Sequence, residues 1–373
     1  MKRNYIKYLR SVCDKRHLQS YHFLFLIITS GIMIAGCKGQ VKSSTAQEEE
    51  KTEKKIYDQW LIDYESVESG CERVDCIRSV DDPKFISVSE ADFINDEDLV
   101  IGIKWDDEIK CYPHAILNWH EIINDKIAGR DIAINYCPLT GSGMAWDRNI
   151  NGKISEFGVS GMLYNSNIIP YDRNTRSAWS QMKQLCVNGE LMDSAAHTYQ
   201  VIETSWLTWK KLYPESKVLS TETGMQRDYL NYPYSTYREN REIYFSVDNE
   251  SDTLHPKERL FGIIENDKAK CYRFSNFKGG IRVLNDTAFN KNIIIVGSER
   301  DNIITAFENP SENKFSSVTN KIPGIFKDDK NNIYDVFGYC IEGDKKGQRL
   351  IPVNGFIAYW FAWYGFYPDL RFE

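Results

Sequence analysis

Three side chains in one stretch of this sequence have the types needed for bond-making chemistry. His114 and His120 sit in CYPHAILNWHEIIND, and Cys137 sits in INYCPLTGSGMAWDR. A thiolate paired with an imidazole is the basic apparatus of thiol catalysis, because the ring lowers the thiol pKa and then moves protons. Cys, His and His are also adequate ligands for zinc or copper. A third chemistry is simple capture of a small polar or anionic ligand by Arg173, Arg176, nearby serines and the glycine-rich turn Thr140-Gly141-Ser142-Gly143. On these readings Cys137, His114 and His120 form the catalytic or metal-holding set, with Glu121 orienting an imidazole or carrying a proton. Each residue also has a purely structural explanation. A histidine beside a helix start can be a buried hydrogen bonder, and a lone cysteine can be inert core. The two histidines are six apart, so the i,i+4 spacing of zinc helices is absent.

The elements that must position these residues are short strands and a few short helices. Leu99–Ile103 and Ile109–Tyr112 read as a hairpin around Asp106-Asp107, and Pro113 ends it. Ala115 to Ile123 predicts about two helical turns, with Trp119, Ile122 and Ile123 on its apolar face. Ile132–Tyr136 is a strand ending at Cys137-Pro138, Asn151-Gly152 is a hairpin turn, and Trp206–Leu212 is a short helix. A short helix is also expected to open near Ser89. Residues 220–255 are rich in tyrosine and poor in aliphatics, which predicts an irregular connector that packs down through its rings. The fold class is α+β, predominantly β.

The chain then starts again. Lys110-Cys111-Tyr112 returns as Lys270-Cys271-Tyr272, about 160 positions on. Val100-Ile101-Gly102-Ile103 is echoed by Leu260-Phe261-Gly262-Ile263, Trp209 by Trp363, and Tyr213-Pro214 by Tyr367-Pro368. This predicts an internal duplication: a first β-rich unit over 57–219, the connector over 220–255, and a second, degenerate unit over 256–373 packed on it. His114, His120 and Cys137 have no counterparts in the second copy, so a site belongs to the first.

Composition bounds the rest. With 373 residues, 42% hydrophobic and a formal charge of −7, the chain can build a large core and offers no electrostatic footprint for nucleic acid. Its start is a basic leader followed by the apolar run Phe23–Gly36, shorter than the roughly 20 residues of a spanning helix. Ile34-Ala35-Gly36-Cys37 resembles a bacterial lipoprotein box. That implies a signal peptide over 1–36, lipid attached at Cys37, and a charged tether over 37–56. The location would be the cell envelope, membrane-anchored on the extracytoplasmic side. In an oxidising compartment Cys71 and Cys76 can close a local disulfide loop, and an odd count leaves at least one free thiol.

The blocks YPHAILNWHEIIND, YCPLTGSGMAWDR, SGMLYNSNIIPYDRNTRSAWSQ and TGMQRDY resemble the bacterial and archaeal family known as domain of unknown function 3179. The family pattern maps onto His114, His120, Glu121, Asn124, Cys137, Pro138, Gly141, Ser160, Gly161, Tyr164, Asn165, Ser166, Asp172, Arg173, Trp179, Gly224, Arg227 and Asp228. No established activity comes with the resemblance. Ligand contacts are expected from Thr140, Ser142, Ser160, Tyr164, Asn165, Asp172, Arg173, Trp179 and Arg227. Some relatives have a second cysteine where Thr140 stands, which argues against a two-thiol mechanism here. The expected activity is binding of a small polar ligand or metal, with or without chemistry on it. A noncatalytic surface module that binds a protein, glycan or cell-wall component is the alternative.

Overall fold

The computed structural model describes residues 59–372. The expected signal peptide over 1–36, the expected lipid attachment at Cys37 and the expected tether over 37–56 lie outside them. The described chain is a strand-rich α+β structure made of several small sheets with three seven-residue α-helices. Helix α1 spans His114–His120, α2 Trp206–Leu212 and α3 Trp360–Phe366. None of its helices is long and apolar enough to cross a membrane.

Three larger sheets form before the connector, beside a two-stranded ribbon of Asn149–Ile150 and Lys153–Ile154. One runs Ile202–Ser205, Leu99–Trp105, Glu108–Pro113, Lys217–Leu219, Phe85–Ser87. A second carries Ile122–Ile127, Arg130–Cys137, Ser142–Asp147 and Thr198–Tyr199, and a third is built on the hairpin Phe157–Tyr164 and Asn167–Asp172. Three more follow the connector in a similar order. Arg259–Glu265 pairs with Lys268–Arg273 and Gly355–Tyr359, Lys291–Ser298 is central in a three-stranded meander, and Phe315–Lys321 starts the last sheet. The details match as well. Lys217–Leu219 runs parallel to Glu108–Pro113, as Arg371–Phe372 does to Lys268–Arg273. Gly102 lies under the ring of Trp209, and Gly262 under that of Trp363, leaving no room for a Cβ at either position.

The two groups of sheets share their cores. Trp206, Trp209, Leu212 and Tyr213 of α2 and its end pack in one cluster with Ile294, Phe307, Phe326 and Phe337. Reciprocally, Trp360, Phe361, Trp363 and Phe366 of α3 pack with Trp146, Phe157, Trp179 and Cys186. Polar ties cross the same boundary: Lys104 Nζ meets Asp335 at 2.6 Å, and the Tyr213 hydroxyl donates to Asp335 at 3.1 Å. Residues 220–255 contain no helix or strand, and they pack down through Tyr229, Tyr234, Tyr237 and Phe245.

Two local expectations need correction. The α1 helix stops at His120, and Ile122 and Ile123 lie in a strand, not on its face. Glu121 adopts φ 59°, which breaks the helical path in one residue, and the β-branched pair then suits a pleated surface. Near Ser89 only a 3₁₀ turn, Val88–Glu90, forms, closed by a capping box between Ser87 and Glu90. Cys71 and Cys76 form a disulfide, and Cys111, Cys137, Cys186, Cys271 and Cys340 are free and buried.

Replacing Gly262 or Gly102 by alanine is expected to cost about 1–3 kcal/mol, because the tryptophan above must shift out of a packed core. Since each helix caps sheets of the other half, both variants should still melt in one transition by circular dichroism and by fluorescence. Two separable transitions would contradict the shared-core arrangement.

Candidate functional site

Helix α1 begins as Pro113 fixes an extended φ of −67° at its N-cap. Residues four apart on a helix share a face, so His114 and Asn118 project together. His120 does not share that face. Both His114 and Asn118 line a cavity of about 200 Å³, together with Tyr136 from the next strand but one, Tyr229, Tyr232 and Arg238 from the connector, and Tyr359 from the start of α3. Phe93, Leu99 and Leu230 supply apolar wall, and Leu230 is 77% exposed at the rim.

Four of these lining residues are more than nine-tenths buried: His114, Asn118, Tyr136 and Tyr359. Among the described residues, the Asn118 carboxamide and the Tyr136 and Tyr359 hydroxyls have no hydrogen-bond partner in the protein, although the backbone N–H of Tyr359 is bonded to Thr140 O. His114 Nε2 faces Glu203 Oε2 at 3.8 Å, beyond hydrogen-bond reach, and both atoms are unpartnered. Burial, then Arg259 and Arg238, holds the His114 imidazole well below its usual pKa, so it is neutral. Burial raises Glu203, while Arg259, bonded to its other oxygen at 2.7 Å, pulls it back down. Arg259 also reaches Asn302 at 2.8 Å, so its position is fixed from the second group of sheets.

The expected Cys–His–His centre is not formed. Cys137 lies among Leu139, Leu163, Ile168, Tyr234, Tyr237 and Phe245, with its thiol 3.7 Å from the carbonyl of Ser166. Burial, then Glu121, pushes its pKa up to about 11, the wrong direction for a thiolate at neutral pH. His120 is fully buried and used at both nitrogens: Nδ1 with Arg78 O and Nε2 with the Tyr229 hydroxyl, each at 2.7 Å. Neither imidazole hydrogen-bonds the Cys137 sulfur, and among the described residues no three His, Cys, Asp or Glu side chains gather as a metal-ligand set. Glu121 orients neither ring. Its carboxyl is buried beside Tyr234, which hydrogen-bonds it, and burial pushes its pKa up to about 8.

Most of the expected ligand contacts serve the scaffold. Thr140 and Ser142 are fully buried in a network with Asn167 and Gln181, at 2.6–3.2 Å. Arg173 ties Asp81, Glu156 and Ser79 together, fastening the disulfide-bearing loop, and Arg176 lies over the ring of Tyr171. Asp172 accepts from Thr175 and from the indole of Trp179, which is buried in the core. Ser160 bonds Ile169 O. The Tyr164 hydroxyl and the Asn165 side chain bind Asp248, pinning the connector down. Arg227 stands near His120 and Tyr229, whose pKa values it lowers, and its Nε is buried without a partner. His197 and His255 are exposed.

Glu203, Arg238, Arg259, Tyr136, Asn118 and Tyr359 were not singled out from the sequence. The i,i+4 spacing of His114 and Asn118 was one available signal. The other was the echo between the halves: at the matching offsets Glu203 falls on Ile357 and Arg259 on Leu99, so polarity is placed where the two halves differ.

Glu121 and His120 give the fold a defined pH response. Glu121 is raised from 4.5 to about 8, so its contribution is complete below pH 4.5 and is lost as pH rises through 8. His120 is lowered from 6.5 to about 4, so its contribution is complete above pH 6.5 and is lost as pH falls through 4. The two oppose each other in the acid range, and of this pair only Glu121 still titrates above pH 6.5. Stability should fall by about 2 kcal/mol between pH 6.5 and 8. In Glu121→Gln the melting temperature should no longer decline over that interval, whereas the unsubstituted protein's does.

No curated protein and no solved structure matches the chain. The family model described as "Protein of unknown function (DUF3179)" matches residues 74–370, a span that holds α1, the cavity, the connector and both groups of sheets. The chain belongs to the DUF3179 family.

Proposed function

We propose that this protein is an envelope lipoprotein, lipid-anchored at Cys37 and spaced from the membrane by its tether, whose folded part binds a small polar molecule in the His114 cavity. The leader sequence supports the anchoring, and the cavity supports the binding. One observation carries the binding: four side chains, each more than nine-tenths buried, line one partly open cavity with polar groups that no protein group hydrogen-bonds. The His114 Nε2 atom is sealed from solvent without a partner, which costs about 1–3 kcal/mol, and the other three groups are open to what fills the cavity. Several such groups converging on one cavity are the usual mark of a ligand site, because the ligand supplies the missing bonds.

On this reading His114 is a neutral donor or acceptor, Asn118, Tyr136 and Tyr359 fix the ligand's orientation, and Arg238 faces any negative charge. Glu203, held by Arg259, stands behind His114 and can accept its proton, so the arrangement also suits general acid–base chemistry on a bound molecule. Cys137 and His120 then serve the scaffold, and zinc or copper is not needed to explain the cavity. The matched sheets, helices and Trp-over-Gly contacts of the two halves support descent from a duplicated unit. In that history the first copy holds the site, and the second contributes Tyr359 to its wall and Arg259 behind it.

Purified full-length protein is to be screened by thermal shift against small carboxylates, phosphates, polyols and amino acids, with metal content measured in parallel. A binder should lose about tenfold or more in affinity in Asn118→Ala and Tyr136→Phe. Cys137→Ala should bind as well as the unsubstituted protein. Stoichiometric metal that disappears in Cys137→Ala, or ligand binding that depends on Cys137 and not on Asn118, would overturn the reading.

A further inference from the structure

Resting on the reading just given, we infer that the cavity's ligand is one six-membered sugar ring carrying a carboxylate, a sugar acid of the uronic class. Size is the first constraint. About 200 Å³ lies below the roughly 300–1,000 Å³ of sites for drug-sized ligands and equals the liquid volume of about six or seven waters. That is room for a single substituted ring within the walls.

The shape and polarity of the walls are the second. Aromatic rings dominate the lining, with Tyr136 packed on His114 at 4.3 Å between centroids and Tyr229, Tyr232, Tyr359 and Phe93 around them. Such faces suit the C–H face of a ring. The unpartnered groups between them are tyrosine hydroxyls, a carboxamide and a neutral imidazole. A hydroxyl and a carboxamide each both donate and accept, and a neutral imidazole has one nitrogen for each role. Their complement is a set of hydroxyls, which do both as well. A ligand offering only acceptors, or only an apolar ring, would leave part of the set unmatched.

Charge is the third. Arg238 has no carboxylate within ion-pair distance among the described residues and lies over Tyr232 at 4.7 Å. The other charged lining residue, Asp98, already accepts from the backbone N–H and carboxamide of Asn95 at 2.8 and 3.0 Å. Asp98 is thus held at one oxygen by neutral groups, and Arg238, exposed at the rim, is the cation the lining offers to a ligand. A ligand carboxylate can take two parallel bonds from that guanidinium. The 3.8 Å gap between His114 Nε2 and Glu203 Oε2 leaves two further buried polar atoms unpaired on the far side of the imidazole.

The test is calorimetric titration of the full-length protein with glucuronate and galacturonate, with the neutral parent sugars, and with benzoate and cyclohexanecarboxylate as ring acids without hydroxyls. A uronate is expected to bind at least about tenfold tighter than its neutral parent and than either hydroxyl-free acid. Arg238→Gln should bring the uronate down to the level of the parent sugar while leaving that sugar unchanged. Asn118→Ala should weaken both. Tighter binding of benzoate or cyclohexanecarboxylate, or of a neutral sugar, in a manner lost in Asn118→Ala, would overturn the sugar-acid assignment and leave the cavity reading standing. If none of these binds while another small molecule from the thermal-shift panel does so through Asn118, the assignment falls alone. If no small molecule binds, both fall together.

Discussion

The structure depends on a reciprocal embrace: each of two short helices packs its tryptophans against sheets from the other half of the chain. Trp209 and Trp363 each lie flat on a glycine of their own half, Gly102 and Gly262, and only a residue without a side chain permits that approach. The neighbouring rings of the same helices then enter the opposite half's core. A seven-residue helix has little stability of its own, so nearly all of its free energy comes from this burial. Neither half can release its helix without opening its partner's core.

That exchange is also what builds the cavity. Tyr359 is the N-cap of α3, and its place is set by how α3 seats on the first group of sheets. Its backbone N–H bonds to Thr140 O at 2.8 Å, next to Gly141, whose position would otherwise collide with the Tyr359 ring. The Thr140-Gly141-Ser142 turn, which looks like an anion cradle in the sequence, is thus the docking point for the other half. The buried network of Thr140, Ser142, Asn167 and Gln181 stiffens that point, since a satisfied polar core specifies one arrangement.

Much of this was legible in the sequence, and the illegible part has a definite cause. Hairpins, α2, the aromatic connector and the local disulfide loop rest on short-range signals written into neighbouring residues, and the echo between halves on the recurrence of such local patterns. The sequence also singled out His114, which lines the cavity. Its membership was not, because Glu203, Arg238, Arg259 and Tyr359 reach it from distant segments through tertiary packing. Residue type also misled. Cys137, His120 and Arg173 carry reactive groups, yet the structure engages each one. The thiol lies in an apolar cluster, the imidazole is bonded at both nitrogens, and the guanidinium is held by two carboxylates and a hydroxyl. Reactivity belongs to what is left unpaired, and pairing is a property of the fold.

Glu121 shows how the scaffold accepts cost in order to hold that unpaired face still. A non-glycine residue at φ 59° carries strain of order 1–3 kcal/mol, and a buried carboxyl adds a pH-dependent penalty. In return the chain passes from helix to strand in a single residue. The Glu121 N–H closes the last turn onto Leu117 O at 2.8 Å, and its carbonyl accepts from Tyr136 N at 2.7 Å. These two bonds lock α1 to the strand that bears Tyr136, so His114, Asn118 and Tyr136 move as one body. A looser connection would let the helix rotate and satisfy its polar groups in water. The strain at Glu121 is therefore best understood as what keeps the cavity's hydrogen-bonding groups unsatisfied and ready.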